Sequence, residues 1–293
     1  MVSYGQEKKY QMDQELQKYV KAASEAAANL KLVPPQCAVS FDGNRTGSGT
    51  GGAMEFADYR AYRRGDELRR VDWRLFARSE QLMVRRFSQE ISPRCDIIID
   101  CSRSMDLYGK NAAAAGLGAL FAGSALNAGF FLQVWGIGDS LIKMSAPEEP
   151  ELWELPRQES SGGSTLFFEE LRAGIFRNGI RIFISDLFFD FSPGELLRTL
   201  GGGNVVVLQI LGAEELDPSL AGTVTVMDPE SGRSKEICVD NASLERYREK
   251  LNNFQSRYAE TLHSHNSSIF FLSAAEVVKN WGVDFFCREG ILQ

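Results

Sequence analysis

A chain of 293 residues is large for one small core and suits a single big α/β domain with appendages. Its 44% hydrophobic and 24% charged residues are those of an ordinary globular protein, and a net charge of −7 excludes a generic nucleic-acid binder. The five cysteines, Cys37, Cys95, Cys101, Cys238 and Cys287, include no CxxC pair and no metal-ligand spacing. That usage argues for a reducing cytoplasm rather than a disulfide framework. The charged start of the chain (Glu7, Lys8, Lys9, Asp13) lacks the apolar core of a signal peptide.

Residues 8–31 read as an amphipathic helix, with Leu16, Tyr19, Val20, Ala23, Ala27 and Leu30 at helical spacing and Pro34-Pro35 ending it. Its apolar face packs on the protein's own body or on a partner, the former being commoner. Residues 36–54 are a glycine-heavy loop. Gly47-Ser48-Gly49-Thr50-Gly51-Gly52 resembles a phosphate loop only superficially, because it lacks the Gly-Lys-Ser/Thr ending and a strand and helix around it. Between Arg60 and Arg94 lie ten Arg, no Lys and five acids, a net +5 that leaves −12 for the rest.

From Cys95 onward strands and helices alternate. The pattern predicts a strand at Asp96–Asp100, a helix at Lys110–Leu126, and strands at Phe130–Ile137 and Leu141–Met144. An acidic loop, Pro147–Ser164, and a helix near Leu166–Phe176 follow. Next come a strand at Ile180–Asp186, a helix at Gly194–Leu200, a strand at Val205–Leu211 and an irregular or hairpin region from Glu215 to Val239. A long helix (Ala242–His263), a strand (Ser268–Leu272) and a short helix (Ala274–Asn280) complete the series. The 28 uncharged residues from Asn111 to Gly138 exceed the roughly 20 that a membrane span needs. Their Ala and Gly content and the break at Asn127-Ala128-Gly129 fit a helix packed on a sheet and then a buried strand. The fold expected is α/β, a doubly wound, mostly parallel, Rossmann-type sheet with an N-terminal helix and an Arg-rich segment. The expected divisions are 1–34, 35–94 and 95–293.

Asp100-Cys101-Ser102-Arg103-Ser104 follows the apolar run Ile97-Ile98-Ile99. In extended backbone, positions two apart share a side, so Asp100, Ser102 and Ser104 can converge. One carboxylate and two hydroxyls suit a hard cation that keeps some water, Mg²⁺ or Mn²⁺. In the common doubly wound order 3-2-1-4-5-6, the first strand lies beside the fourth and their carboxyl ends border the ligand crevice. The fourth strand ends at Asp186, and Gly162-Gly163-Ser164-Thr165 opens the helix feeding it. The predicted metal site is therefore Asp100, Ser102, Ser104, Thr165 and Asp186, with water completing an octahedron. Each residue taken singly is also an ordinary turn or cap residue.

These residues resemble the metal-ion-dependent adhesion site of the von Willebrand factor A fold. The resemblance implies that a partner's carboxylate completes the shell of a bound Mg²⁺. Two departures are Leu187-Phe188, where that fold often has Gly, and the extra Ser164. A second resemblance rests on Glu55-Phe56-x-Asp58-Tyr59-Arg60-x-Tyr62-x-x-Gly65-Asp66-x-x-Arg69-Arg70-Val71-Asp72-Trp73-Arg74-x-x-Ala77-Arg78, then Leu82-x-Val84-Arg85 and Glu90. It is similar to the signature of bacterial domain-of-unknown-function family fifty-eight, which joins this signature to a von Willebrand factor A-like domain. The match is good from roughly Gly43 to Asp186 and architectural beyond. Members are often encoded beside MoxR-type AAA+ ATPases, which implies such an ATPase as a partner. Many carry N-terminal transmembrane helices, so a chain without them implies a cytoplasmic form.

Arg presents a planar fork to carboxylate or phosphate, so Arg without Lys points to geometry rather than bulk charge. The interleaved acids favour an internal network, with Asp58, Asp66 and Asp72 pairing with Arg60, Arg69, Arg70 and Arg74. The alternative is a partner-binding surface made of Arg60, Asp66, Arg69, Arg70, Asp72, Trp73, Arg74 and Arg78. Nucleic-acid binding is a third option, weakened by the −12 elsewhere. No Gly-x-Ser-x-Gly elbow, His-Glu-x-x-His or Walker loop occurs, and His263 and His265 do not face each other. The expectation is a non-catalytic, metal-dependent protein-interaction adaptor without a membrane span. A metal-dependent phosphoesterase is the competing reading.

Overall fold

A computed structural model describes residues 14–33, 54–63, 65–89, 93–138, 141–156, 171, 174–175, 179–189, 191–201 and 204–293. The elements in chain order are α1 (Gln14–Ala27), β1 (Met54–Ala61), α2 (Trp73–Ser79), β2 (Met83–Gln89), β3 (Arg94–Asp100), α3 (Lys110–Asn127), β4 (Phe131–Ile137), β5 (Leu141–Lys143) and β6 (Ile180–Ser185). They continue with α4 (Pro193–Thr199), β7 (Val205–Leu211), α5 (Ala213–Leu216), β8 (Gly222–Met227), β9 (Ser234–Val239), α6 (Asn241–His263), β10 (Ser268–Ser273), α7 (Ala274–Asn280) and α8 (Val283–Arg288). The chain divides into two units, Met1–Val39 with Pro93–Gln293, and Ser40–Ser92.

In the larger unit, β3, β6 and β7 are short runs of Ile, Val, Leu and Phe buried over nearly their whole length. Continuous apolar runs of this kind belong to strands covered on both faces. They form the middle of a six-stranded sheet, ordered β10-β7-β6-β3-β4-β5. All pairings are parallel except the edge pair β4–β5. Numbered by appearance this is 3-2-1-4-5-6, the expected order, with β3 beside β6. Alternation sends Ile97 and Ile99 into one core, with Val20 of α1, Phe121 of α3, Val277 of α7 and Phe286 of α8. It sends Ile98 into the other, with Leu196 and Leu197 of α4 and Tyr258 and Leu262 of α6. Each buried Ile contributes about 2 kcal/mol through the apolar area it removes from water. Most of the helix expected near Leu166–Phe176 falls outside the described residues, although Leu171 and Ile175 pack in the second core.

α3 is buried on almost every side because its residues are small. A Cβ on Gly116 would meet the Trp281 ring, and one on Gly123 would lie 2.8 Å from the Ala27 Cβ. That approach seats α1 on the protein's own body. The Asn127 amide Nδ2 donates to the carbonyls of Ala27 (2.8 Å) and Leu30 (3.0 Å). Just beyond, Leu32 pairs with Leu292, and Lys31 and Gln293 exchange backbone hydrogen bonds at 2.8 and 2.9 Å. The amphipathic face is thus an internal packing surface. Among the described residues, no helix is long and apolar enough to cross a membrane.

The region from Glu215 to Val239 begins in the last residues of α5 and holds the β8–β9 hairpin. α8 was not anticipated; its Phe285 and Phe286 pack edge-to-face on each other and on Phe270. In the smaller unit, β1 and β2 form an antiparallel pair whose register shifts between Phe56 and Asp58.

Candidate metal centre

β3 and β6 run parallel with Ile99 opposite Ile184, so the residues after each strand emerge at the same end of the sheet. The strand order reverses here, which makes this the topological switch point. Asp100 closes β3 and is buried. Its Oδ1 accepts the Ser102 N–H at 2.9 Å, which turns the chain, and its Oδ2 accepts the Ser185 hydroxyl at 2.6 Å. The hydroxyls of Ser102 and Ser104, both buried, lie 3.1 Å apart. Asp186 follows β6; its Oδ1 accepts the Phe188 N–H at 3.0 Å and its main-chain oxygen accepts the Gln209 amide at 2.9 Å. Asp100, Ser102, Ser104 and Asp186 therefore come together, while Thr165 lies outside the described residues.

Leu187, where a glycine would be easiest, takes φ +63° and is fully buried. That backbone costs a side-chain-bearing residue roughly 1–2 kcal/mol. Burial of the Leu187 side chain and its N–H bond to the Ser185 hydroxyl at 2.9 Å offset it.

Four residues that sequence reasoning missed complete the crevice. Lys110, at the head of α3 and fully buried, places Nζ 2.8 Å from Asp186 Oδ2 and 2.6 Å from Glu215 Oε1. Glu215 is held by the Gly212 N–H at 2.7 Å. Ser185 orients Asp100. Glu230, on the β8–β9 connection, accepts the Ser104 N–H at 2.9 Å. One sequence signal existed for Lys110. A lone lysine opening a long uncharged helix opposes the helix dipole, and buried it requires carboxylate partners.

The electrostatics are lopsided. Among the described residues the Lys110 ammonium meets two carboxylates, Asp186 and Glu215, while Glu230 is bonded to the Ser104 N–H. Lys110 pairs with both Asp186 and Glu215 and so offsets only part of their charge, whereas Asp100 receives only neutral N–H and O–H donors among the described residues. Burial, and then the charge of Asp186, push the Asp100 carboxyl up to about 6, against the hydrogen bonds from Ser185 and Ser102. An anionic oxygen beside two hydroxyls, short of positive charge, matches the donor chemistry of Mg²⁺ or Mn²⁺. Among the described residues no group of three or more His, Cys, Asp or Glu is placed to hold a metal ion. The candidate set relies instead on hydroxyls beside its carboxylates.

In the smaller unit, Arg60 grips Asp66 with two bonds, 2.9 and 2.7 Å, and Asp66 also accepts the Arg63 N–H at 2.7 Å. Asp72 is an N-cap, accepting the N–H groups of Arg74 (3.0 Å) and Leu75 (3.1 Å), and it receives the Tyr59 hydroxyl at 2.8 Å. Arg69, Arg74, Arg78 and Trp73 are exposed, and Trp73 sits edge-on to Phe76. The side chains of Asp58 and Arg70 lie outside the described residues.

A mostly parallel α/β sheet with an oxygen-rich crevice at its switch point defines the class of protein. A family model described as "Protein of unknown function DUF58" matches residues 58–258, and the chain belongs to that family. It is similar to the uncharacterized proteins Rv1480 of Mycobacterium tuberculosis and Mb1516 of Mycobacterium bovis, at 24% identity over 220 residues and 68% of each chain.

Proposed function

We propose that this chain is a non-catalytic, cytoplasmic protein-interaction adaptor with a von Willebrand factor A-like domain, whose crevice holds Mg²⁺ or Mn²⁺ and receives an acidic side chain of a partner protein. The observation that carries the reading is the Asp100 carboxylate, without a cationic partner among the described residues, beside the Ser102 and Ser104 hydroxyls 3.1 Å apart. Asp100 supplies the charge, Ser102 and Ser104 supply neutral oxygens, and Thr165 and Asp186 are the remaining candidate ligands. Ser185 orients Asp100, and Lys110 offsets part of the buried negative charge at Asp186. The cation supplies an open coordination position to a partner oxygen. The similarity to the family that joins this Arg/Asp signature to a von Willebrand factor A-like domain makes a MoxR-type AAA+ ATPase the proposed partner class. The exposed Arg69, Arg74, Arg78 and Trp73 offer it a second contact.

The test is calorimetric titration of Mg²⁺ and Mn²⁺ into metal-stripped protein, with Asp100→Ala alongside. Saturable binding in the wild type that weakens at least 100-fold in the variant supports the centre. Equal affinity in the two proteins removes Asp100 from it, and no binding by the wild type, alone or with a MoxR-type ATPase added, overturns the metal-dependent reading.

A further inference from the structure

β8 and β9 pair from Gly222 opposite Val239 to Met227 opposite Ser234, and almost every residue of both strands is exposed. A two-stranded ribbon is marginal by itself, so what its tip touches matters. The tip, Asp228-Pro229-Glu230-Ser231-Gly232-Arg233, is tightly organised. Asp228 accepts the Glu230 N–H (3.0 Å) and the Ser231 hydroxyl, and Gly232 at φ +67° returns its N–H to the Asp228 carbonyl at 2.9 Å. This turn aims Glu230 back across the chain. Its carboxylate accepts the N–H of Ser104, 126 residues earlier, at 2.9 Å.

We infer that Glu230 is a stand-in for the partner's carboxylate, and that the partner presents its own acidic residue on a similarly tight turn. The inference rests on the reading of the crevice as a partner site. Ser104 N–H belongs to the residue whose hydroxyl faces Ser102, so Glu230 already sits at the mouth where an incoming carboxylate must arrive. Its hold is weak. Among the described residues a single charge-assisted hydrogen bond, to the Ser104 N–H, holds the carboxylate. A loop tethered in cis competes at an effective concentration on the order of millimolar, enough to exclude weak ligands and yield to a good one. Close in the chain to Ser104 and Asp186, the apolar side chains of Leu107, Tyr108 and Phe188 are exposed. Lys110 Nζ lies 5.8 Å from the Phe188 ring. The fitting partner is therefore an acidic turn flanked by apolar residues, with the carboxylate reading the centre and the flanks covering those apolar side chains.

The test uses the full chain, wild type and Glu230→Gln, with Mn²⁺ and a cyclised peptide copied from residues 226–235 as probes. The Glu230→Gln protein should bind the peptide at least tenfold more tightly than the wild type. The same peptide carrying Glu230→Gln should bind neither protein. Equal peptide affinity in the two proteins, or no binding to the variant, overturns the inference. Titration of Mn²⁺ into the same two proteins keeps the two readings apart. Mn²⁺ binding with equal peptide affinities removes the stand-in and leaves the metal centre. A tenfold difference that persists in metal-free buffer, without Mn²⁺ binding, removes the metal and leaves the stand-in.

Discussion

Arg60–Asp66 in the smaller unit and Lys110–Asp186–Glu215 in the larger one are both cations within 3 Å of carboxylates, yet their physics differs. The arginine pair is partly exposed, so water and salt solvate either partner when the other is lost. The lysine is fully buried, with Asp186 almost so. Desolvation there is already spent, and removing the ammonium strands Asp186 in a medium that cannot solvate it, beside a Glu215 that water reaches only in part. An exposed fork fixes local geometry, and a buried cluster commits the whole crevice.

The comparison breaks most sharply at Lys110. Lys110→Met keeps the length of the side chain and removes its charge, and should cost about 3–5 kcal/mol in chemical denaturation. Adding Asp186→Asn should recover part of that loss, because one stranded charge disappears; a double variant no more stable than the single one would mean that packing, not charge, sets the cost. A smaller effect comes from Asp100. Its carboxyl sits at about 6 in the fold, above the ordinary value near 4. The folded state therefore binds this proton more tightly than the unfolded chain, and the stability lost to a charged Asp100 returns as pH falls through 6. In metal-free protein, Asp100→Asn should be more stable than the wild type at pH 7, with the gap narrowing below about pH 6 and closing only below about pH 4. Mn²⁺ affinity of the wild type should weaken over the same fall in pH, as the proton takes the anionic ligand. At the far end stands Arg60→Ala, for which the denaturation midpoint of the larger unit should not move. A clear drop would show that the Arg60–Asp66 fork supports more than its own turn.

Much of this was legible in the chain. Ile97-Ile98-Ile99 before Asp100, and Ile180–Ser185 before Asp186, carry length, apolarity and a terminal carboxylate in one local signal, and the strand order then follows from general topology. The uncharged run after Lys110 was readable as a packed helix because its Ala and Gly residues allow close approach. Glu215 and Glu230 were not readable as site residues, and the signal at Lys110 asks for carboxylates without naming them. Their contacts span 76, 105 and 126 positions, and no period or motif records a pairing made by three-dimensional folding. Leu187 was flagged only as a departure from glycine; that a buried leucine can hold a left-handed backbone depends on the Ser185 hydroxyl, which a sequence pattern does not aim.

α1 and β3 belong to the same unit, yet Ser40–Ser92 is interposed between them in the chain. The helix is kept in place by Ala27 against Gly123, by Asn127 and by the Leu32–Leu292 bridge, none of which is a covalent link. Such an arrangement lends itself to fragment complementation. With the backbone severed at the interposed stretch, a peptide carrying α1 and its Leu32 extension retains every contact that docks it, and can be supplied in trans to a body that begins at Pro93.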